Sequence, residues 1–347
     1  MRFYTQQHQH YCGIDLHARS MYVCLLEQAG TKLGHKNVAA TPDAFLRTIA
    51  PYREDLVVAG ECIFTWYWLS DLCAREGIPF VLGQALSMKA IHGGKAQNDK
   101  IDAHKIAVLL RGGMIPRASV YPPEMRATRD LLRRRCHLMR KRAELLAHIQ
   151  HTNSQYNLPE IGKKLAYKAN REGVADHFPE PSVRKTIELD VALIDHYDQL
   201  LRAVELYITR TAKGPDAQRF ARVQSVPGIG QLLALVSLYE IQAIARFPRV
   251  QDFLSYGRLV KCAKESAGKR YGLSGKKIGT PQLKWAFSEA AGLFWRQNQP
   301  GQDYFAKLER KHDKGNALTV LAQKLARAGY SLLTRKQAFA LQRFVTA

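Results

Sequence analysis

Paired cysteines, long apolar runs and acidic residues are all scarce in this chain of 347 residues. The cysteines Cys12, Cys24, Cys62, Cys73, Cys136 and Cys262 stand apart, with no C-x-x-C spacing among them. That pattern excludes the usual zinc ribbons and disulfide frameworks and leaves the thiols as packing residues, as a reducing cytoplasm would allow. The most apolar stretch, around 232–238, is far shorter than the roughly 20 residues that span a bilayer. Residues 1–10 are polar and rich in Gln and His, which does not read as a signal peptide. Acids number 30 against 52 Lys and Arg, a net charge of +22. Such an excess repels itself and implies a polyanionic partner, here nucleic acid rather than a membrane.

Hydrophobic residues make up 46% of the chain, enough to build real cores. Residues 1–115 read as α/β, with strands at 11–16, 21–27, 32–37, 56–60 and 80–83 and helices at 43–49, 66–75 and 99–111. Three strands, a helix, then alternating strands and helices is the order of a ribonuclease-H-like fold. Residues 116–215 read as a helical coiled-coil region. One long helix covers 124–151 and a second about 182–212, joined by a polar connector with one short helix. Ile187, Val191, Ile194, Tyr197, Leu201, Val204 and Ile208 alternate at three and four, the spacing of a helical-hairpin or coiled-coil seam, and the helix over 187–208 is a plausible assembly surface. Residues 216–347 read as a mainly helical C-terminal domain. Its Val226-Pro227-Gly228-Ile229-Gly230 suits either a phosphate-binding helix-hairpin-helix turn or a plain turn between helices.

Four acids sit where chemistry could use them. Asp15 and Glu61 each end an apolar strand, where an ionised carboxylate is costly unless something positive neutralises it. Asp99 and Asp102 share one helix face. In a ribonuclease-H-like sheet the first and fourth strands are neighbours, so all four acids converge. Carboxylate oxygens are the ligands Mg²⁺ prefers, and a two-metal site clamps both reacting oxygens of a phosphodiester. Singly, each acid has a plainer reading, as a cap, a loop ion pair or a complement to a helix dipole.

The first long helix crowds Arg126, Arg129, Arg133, Arg134, Arg135, Arg140, Lys141 and Arg142 against few acids. These cations either solvate an exposed face or meet phosphates, the latter expected above all of Arg126, Arg129, Arg133 and Arg134.

At the acidic blocks the chain resembles the insertion-sequence 110 family of transposases. YCGIDLH at 11–17, GECIFTWYW at 60–68 and GGKAQNDKIDAHKIA at 93–107 are similar to its RuvC-like Asp-Glu-Asp-Asp domain. SVPGIG at 225–230, EIQAIARFP at 240–248, SYGRLV at 255–260 and SAGKRYGLSGKKIGTPQLKWAFSEAA at 266–291 resemble its C-terminal domain, the last in the manner of the 1111-like subgroup. The resemblance implies a recombinase guided by a structured noncoding (bridge) RNA that pairs with donor and target DNA. It also implies a serine that attacks a phosphodiester and holds DNA covalently, which falls on Ser266, with Ser274 as the second candidate. Lys264, Lys269 and Arg270 flank Ser266 and would hold the phosphate. Asp15, Glu61, Asp99 and Asp102 would hold Mg²⁺. Synapsis of two DNA sites implies a homo-oligomer, a dimer assembling to a tetramer. Two other readings stay open: a metal-dependent nuclease such as a junction resolvase, without a covalent intermediate, and a nonenzymatic nucleic-acid binder.

Overall fold

The computed structural model describes residues 2–91, 98–212, 216–260, 262–274 and 279–346. The chain forms two compact units, Met1–Pro123 and Glu124–Ala347.

In the first unit, β1 (His10–Leu16) turns tightly into the antiparallel β2 (Ser20–Glu27), followed by β3 (Lys32–Ala39). After α1 (Pro42–Ile49), capped by Thr41, β4 (Leu56–Glu61) returns parallel to β1. Then come α2 (Trp66–Arg75), β5 (Phe80–Gly83), α3 (Ala85–Ile91) and α4 (Asp99–Arg111). The sheet order β3-β2-β1-β4-β5, with only β1, β4 and β5 parallel, is the ribonuclease-H-like arrangement expected from the order of elements. The helix α3 was not anticipated, because its seven residues are too few to establish a period.

The central strands β1 and β4 are buried on both faces, and alternation along them decides which helix each residue meets. Tyr11, Val57 and Ala59 share a core with Ala103, Ile106, Ala107 and Leu110 of α4. Cys12, Ile14 and Val58 face Phe45, Ile49, Leu69 and Leu72 of α1 and α2. By the same alternation Gly13, Asp15 and Glu61 look toward α4. At Gly13 the helix comes so close that a Cβ would collide with the backbone N of Ala107 and the carbonyl O of Ala103, and lie 2.8 Å from the Ala107 Cα. Only glycine permits that approach.

The second unit opens with α5 (Pro123–Gln155), which begins just before it. Two 3₁₀ turns, Lys168–Asn170 and Val174–His177, replace the single short helix expected in the connector. Beyond them α6 (Pro181–Thr211) buries the predicted seam: Ile187, Ile194, Leu201 and Ile208 are nearly inaccessible. Ile187 and Ile194 pack with Leu145, Leu146 and Ile149 of α5. The seam is therefore consumed inside the unit. The outward side of α6 nevertheless carries Leu189, Leu193, Leu200, Leu206 and Tyr207, all exposed.

The remaining elements are α7 (Ala217–Gln224), α8 (Gln231–Ile241), α9 (Val250–Tyr256), β6 (Cys262–Ser266), β7 (Lys269–Ser274), α10 (Pro281–Gln297), α11 (Gln299–Glu309), α12 (Lys314–Arg335) and α13 (Leu341–Thr346). Between α7 and α8, Gly228 adopts φ +87°, and a Cβ there would fall 2.8 Å from the Phe294 N of α10. This glycine serves close helix packing. Helix α8 is buried at every residue from Leu233 to Ile241. One of these is Glu240, 2% exposed.

A buried carboxylate needs partners, and those of Glu240 include two arginines and a threonine. It accepts from Arg133 Nε (2.6 Å) and Nη2 (3.0 Å), from Arg129 Nη2 (3.1 Å) and from the Thr280 hydroxyl (3.1 Å). Burial alone would raise this carboxyl; the Arg133 hydrogen bonds, the two guanidinium charges and Thr280 outweigh it and hold the group below the ordinary range. The cluster ties α5 to α8 and to the residue before α10.

Removing one partner of such a cluster leaves the others charged and unsatisfied, so Glu240→Gln should cost about 3–5 kcal/mol in urea unfolding at neutral pH. A depressed carboxyl stabilises the fold above its unfolded pKa, and that contribution is lost as pH falls through the folded value. The gap between wild type and variant should accordingly narrow below the usual carboxylate range. A gap that stays constant into acid would show that the charge on Glu240 contributes nothing.

Candidate functional site

The β1–β4 register pairs Ile14 with Gly60, so the next residues along, Asp15 and Glu61, end adjacent strands side by side. Both are half-buried and face α4. The first turn of that helix supplies Asp99, exposed, and Asp102, half-buried. The Asn98 side chain accepts from the Ile101 N–H at 2.8 Å, which fixes where the helix begins. Thus the two strand acids and the two helix acids occupy one end of the sheet. Of the sequence block at 93–107, residues 93–97 lie outside the described residues.

The electrostatics record this crowding. Burial pushes the Asp15 carboxyl above its ordinary range; His17 pulls it down, and the charges of Asp99 and Asp102 push it further up. Glu61 is likewise raised, first by burial and then by the charges of Asp15 and Asp102. Two basic side chains stand among the acids. His17 Nε2 lies 3.5 Å from Asp15 Oδ2 and 3.2 Å from Asp99 Oδ2, while Lys105 Nζ lies 3.2 Å from Asp102 Oδ1. Ligand atoms of Asp15, His17 and Asp99 all fall within 4.8 Å of one another. Clustered carboxylates whose charge is under-compensated fit a hard divalent cation.

Sequence reasoning passed over His17 and Lys105. The signals were present: His17 follows Asp15 by two residues in YCGIDLH, and Lys105 follows Asp102 by three, one turn along the helix. Phe64, three residues beyond Glu61, was also overlooked and is 85% exposed.

In the second unit Ser266 ends β6 and pairs with Lys269 of β7. The residues between them, Ala267 and Gly268, both adopt positive φ (49° and 73°), the signature of a two-residue hairpin turn. Ser266 and Lys269 are both exposed there. This hairpin lies within the mainly helical region and was not anticipated, since its strands are too short and polar to announce themselves. Ser274 ends the other strand, opposite Cys262. The side chains of Lys264, Arg270 and Ser274 lie outside those described.

The arginines of α5 divide. Arg126 and Arg129 are buried, at 5% and 8% exposure, and Arg133 is half-buried against Glu240. Arg135 and Arg142 bind Glu205 and Asp198. Burial turns Arg126 and Arg129 away from solvent, which corrects the expectation of phosphate contact for those two. Arg134 is exposed.

A carboxyl raised by the fold favours folding while protonated, a contribution present below its unfolded pKa and lost as pH rises through the folded one. Repulsion among the acids then takes over. A divalent cation should therefore raise the melting temperature more at about pH 7.5 than at about pH 5. Asp15→Asn and Asp102→Asn should abolish the gain, whereas an equal gain at both pH values would place the cation elsewhere.

Comparison with known proteins agrees with this geometry. A family model described as "Transposase", of the DEDD type in the IS110 group, matches residues 12–157. Another, described as "Transposase IS116/IS110/IS902 family", matches residues 220–306. Between them the two matches cover about two thirds of the chain. The transposase for insertion sequence element IS1111A from Coxiella burnetii (strain RSA 493 / Nine Mile phase I) is 23% identical over 335 residues, spanning 94% of this chain and 90% of that protein. An acidic cluster on a ribonuclease-H-like sheet, followed by a matching C-terminal region, identifies the chain as a member of the IS110 family of transposases, enzymes that cleave and recombine DNA.

Proposed function

We propose that the chain is an RNA-guided DNA recombinase that moves its insertion sequence through a phosphoserine intermediate. The observation that carries the serine half is the exposed position of Ser266 beside the turn of its hairpin, next to the exposed Lys269. The Ser266 hydroxyl attacks a phosphodiester. An ester bond forms between Oγ and phosphorus, and the deoxyribose oxygen leaves as a hydroxyl with a proton. Rejoining reverses this: a strand hydroxyl attacks the phosphoserine, and Ser266 regains its proton. No external energy is needed, because the ester is conserved in the protein–DNA link. Lys269, with Lys264 and Arg270, offsets charge on the phosphate.

Asp15, Glu61, Asp99 and Asp102 would hold Mg²⁺, which supplies charge neutralisation and polarisation of phosphate oxygens. In this chain the role of the acids is to orient that ion, and His17 and Lys105 moderate their repulsion. Donor and target DNA are the substrates, and a structured guide RNA supplies sequence choice. The net charge of +22 and exposed cations such as Arg134 support both partners. Because the inner seam of α6 is consumed, homo-oligomers would form through the outer stripe of Leu189, Leu193, Leu200 and Tyr207. In sedimentation, Leu193→Glu with Leu200→Glu should reduce the assembly to monomers; an unchanged oligomer would rule that stripe out.

The chemistry is tested by mixing the protein with its element's RNA, labelled donor and target DNA, and Mg²⁺, then denaturing. Labelled DNA should migrate with the protein, and Ser266→Ala should abolish that adduct. Cleaved DNA without an adduct, indifferent to Ser266→Ala but lost in Asp15→Asn, would instead establish a metal-dependent nuclease.

A further inference from the structure

The last helices, α11 to α13, enclose an open cleft of about 530 Å³, and all of its lining but Tyr304 lies beyond the residues matched by either family model. That volume lies within the range of pockets that enclose small molecules, roughly 300–1,000 Å³. Tyr304 of α11 and Phe344 of α13 form an aromatic part of its lining. Lys324 of α12 lies over both rings, its ammonium 3.9 Å from the Tyr304 centroid and 4.9 Å from that of Phe344. Arg327 and Arg335 of the same helix, and Arg343 of α13, complete a lining with four cations and no acid. None of the four forms an ion pair with a carboxylate among the described residues. Elsewhere in this unit, Arg129, Arg133, Arg135, Arg142 and Arg171 are matched by Glu240, Glu205, Asp195 and Asp198.

We infer that this cleft is a binding site for a single unpaired nucleotide, with its base against the apolar and aromatic wall and its phosphate among Lys324, Arg327, Arg335 and Arg343. The lining joins the two chemistries a nucleotide presents, a flat apolar face and a fixed anion, in a cleft large enough for one nucleotide, and a base reaches such a wall only when it is unpaired and unstacked. A plain basic surface would lack the concave aromatic wall, and a site for an apolar ligand would lack the four cations. Phe339, also in the lining, stands 5.3 Å from Phe344 between ring centroids and extends the aromatic wall. Its backbone N–H donates to the Ser225 hydroxyl at 2.9 Å, which anchors the segment between α12 and α13. The occupant is one nucleotide of a single-stranded nucleic acid, and DNA and RNA share the required chemistry.

The inference deepens the proposed role in nucleic-acid handling, but it involves neither Ser266 nor the acids. It is therefore tested on the full chain in EDTA, where strand cleavage plays no part. Probes are a short single-stranded DNA, the RNA of the same sequence and the DNA duplex, each carrying one photoreactive thiopyrimidine. Single strands should crosslink to the segments holding Tyr304 or Phe339–Phe344, and nucleoside monophosphate should compete. Arg335→Ala with Arg343→Ala should weaken single-strand affinity about tenfold, and Phe339→Ala should weaken it while leaving duplex affinity unchanged. Stronger capture of RNA or of DNA would identify the source. Crosslinks confined to other segments would overturn the inference, as would equal losses for duplex and single strand. Those results would leave the phosphoserine reading untouched, and failure of the adduct assay would leave the cleft untouched.

Discussion

The contact between β1 and α4 is the constraint on which the acidic site depends. At Gly13 the strand has no side chain, and the helix backbone settles into the space a methyl group would need. That closeness fixes the height of α4 above the sheet and so fixes how far Asp102 stands from Asp15 and Glu61. Burial raises both strand carboxyls first and the repulsion adds to it; a longer separation would relieve that repulsion and dissolve the cluster with it. Packing therefore holds together charges that electrostatics alone would drive apart.

The second unit handles buried charge in the opposite way. Around Glu240 the charges are of unlike sign, close and hydrogen-bonded, and the carboxyl is held below rather than above its ordinary range. A cluster of that kind specifies the meeting of three helical segments and needs no ligand. The contrast separates structural acids from candidate chemical ones: direction of shift and sign of neighbours differ, although both kinds of acid are sheltered from water.

Much of the first unit was legible in the sequence because its signals were local and mutually consistent. Short apolar runs marked the strands, the stretch over 99–111 read as a helix with two acids on one face, and strand adjacency then brought Asp15 and Glu61 together. What stayed hidden depended on partners distant in sequence. Nothing near Arg129 announces that it is satisfied by Glu240, more than a hundred positions away, so a helix rich in arginine read as a phosphate-facing surface. Gly228 likewise looked equally suited to a phosphate or to a turn until α10 was seen against it. The hairpin holding Ser266 was missed for a different reason: two short strands joined by Ala-Gly carry neither an apolar stripe nor a strong turn dipeptide. The division of the chain into an α/β part and a helical remainder needed only periodicity.

The Glu240 cluster also changes what the chain's composition means for its thermodynamics. Each phosphate neutralised on duplex DNA displaces condensed counterions, and the logarithm of affinity falls with the logarithm of salt by about 0.9 per contact. Arginines committed to interior carboxylates displace none. Arg129, Arg133, Arg135 and Arg142 add to the formal charge without adding to that slope. The salt sensitivity of DNA binding should thus follow exposed cations such as Arg134 and Lys269, and be gentler than a net charge of +22 suggests.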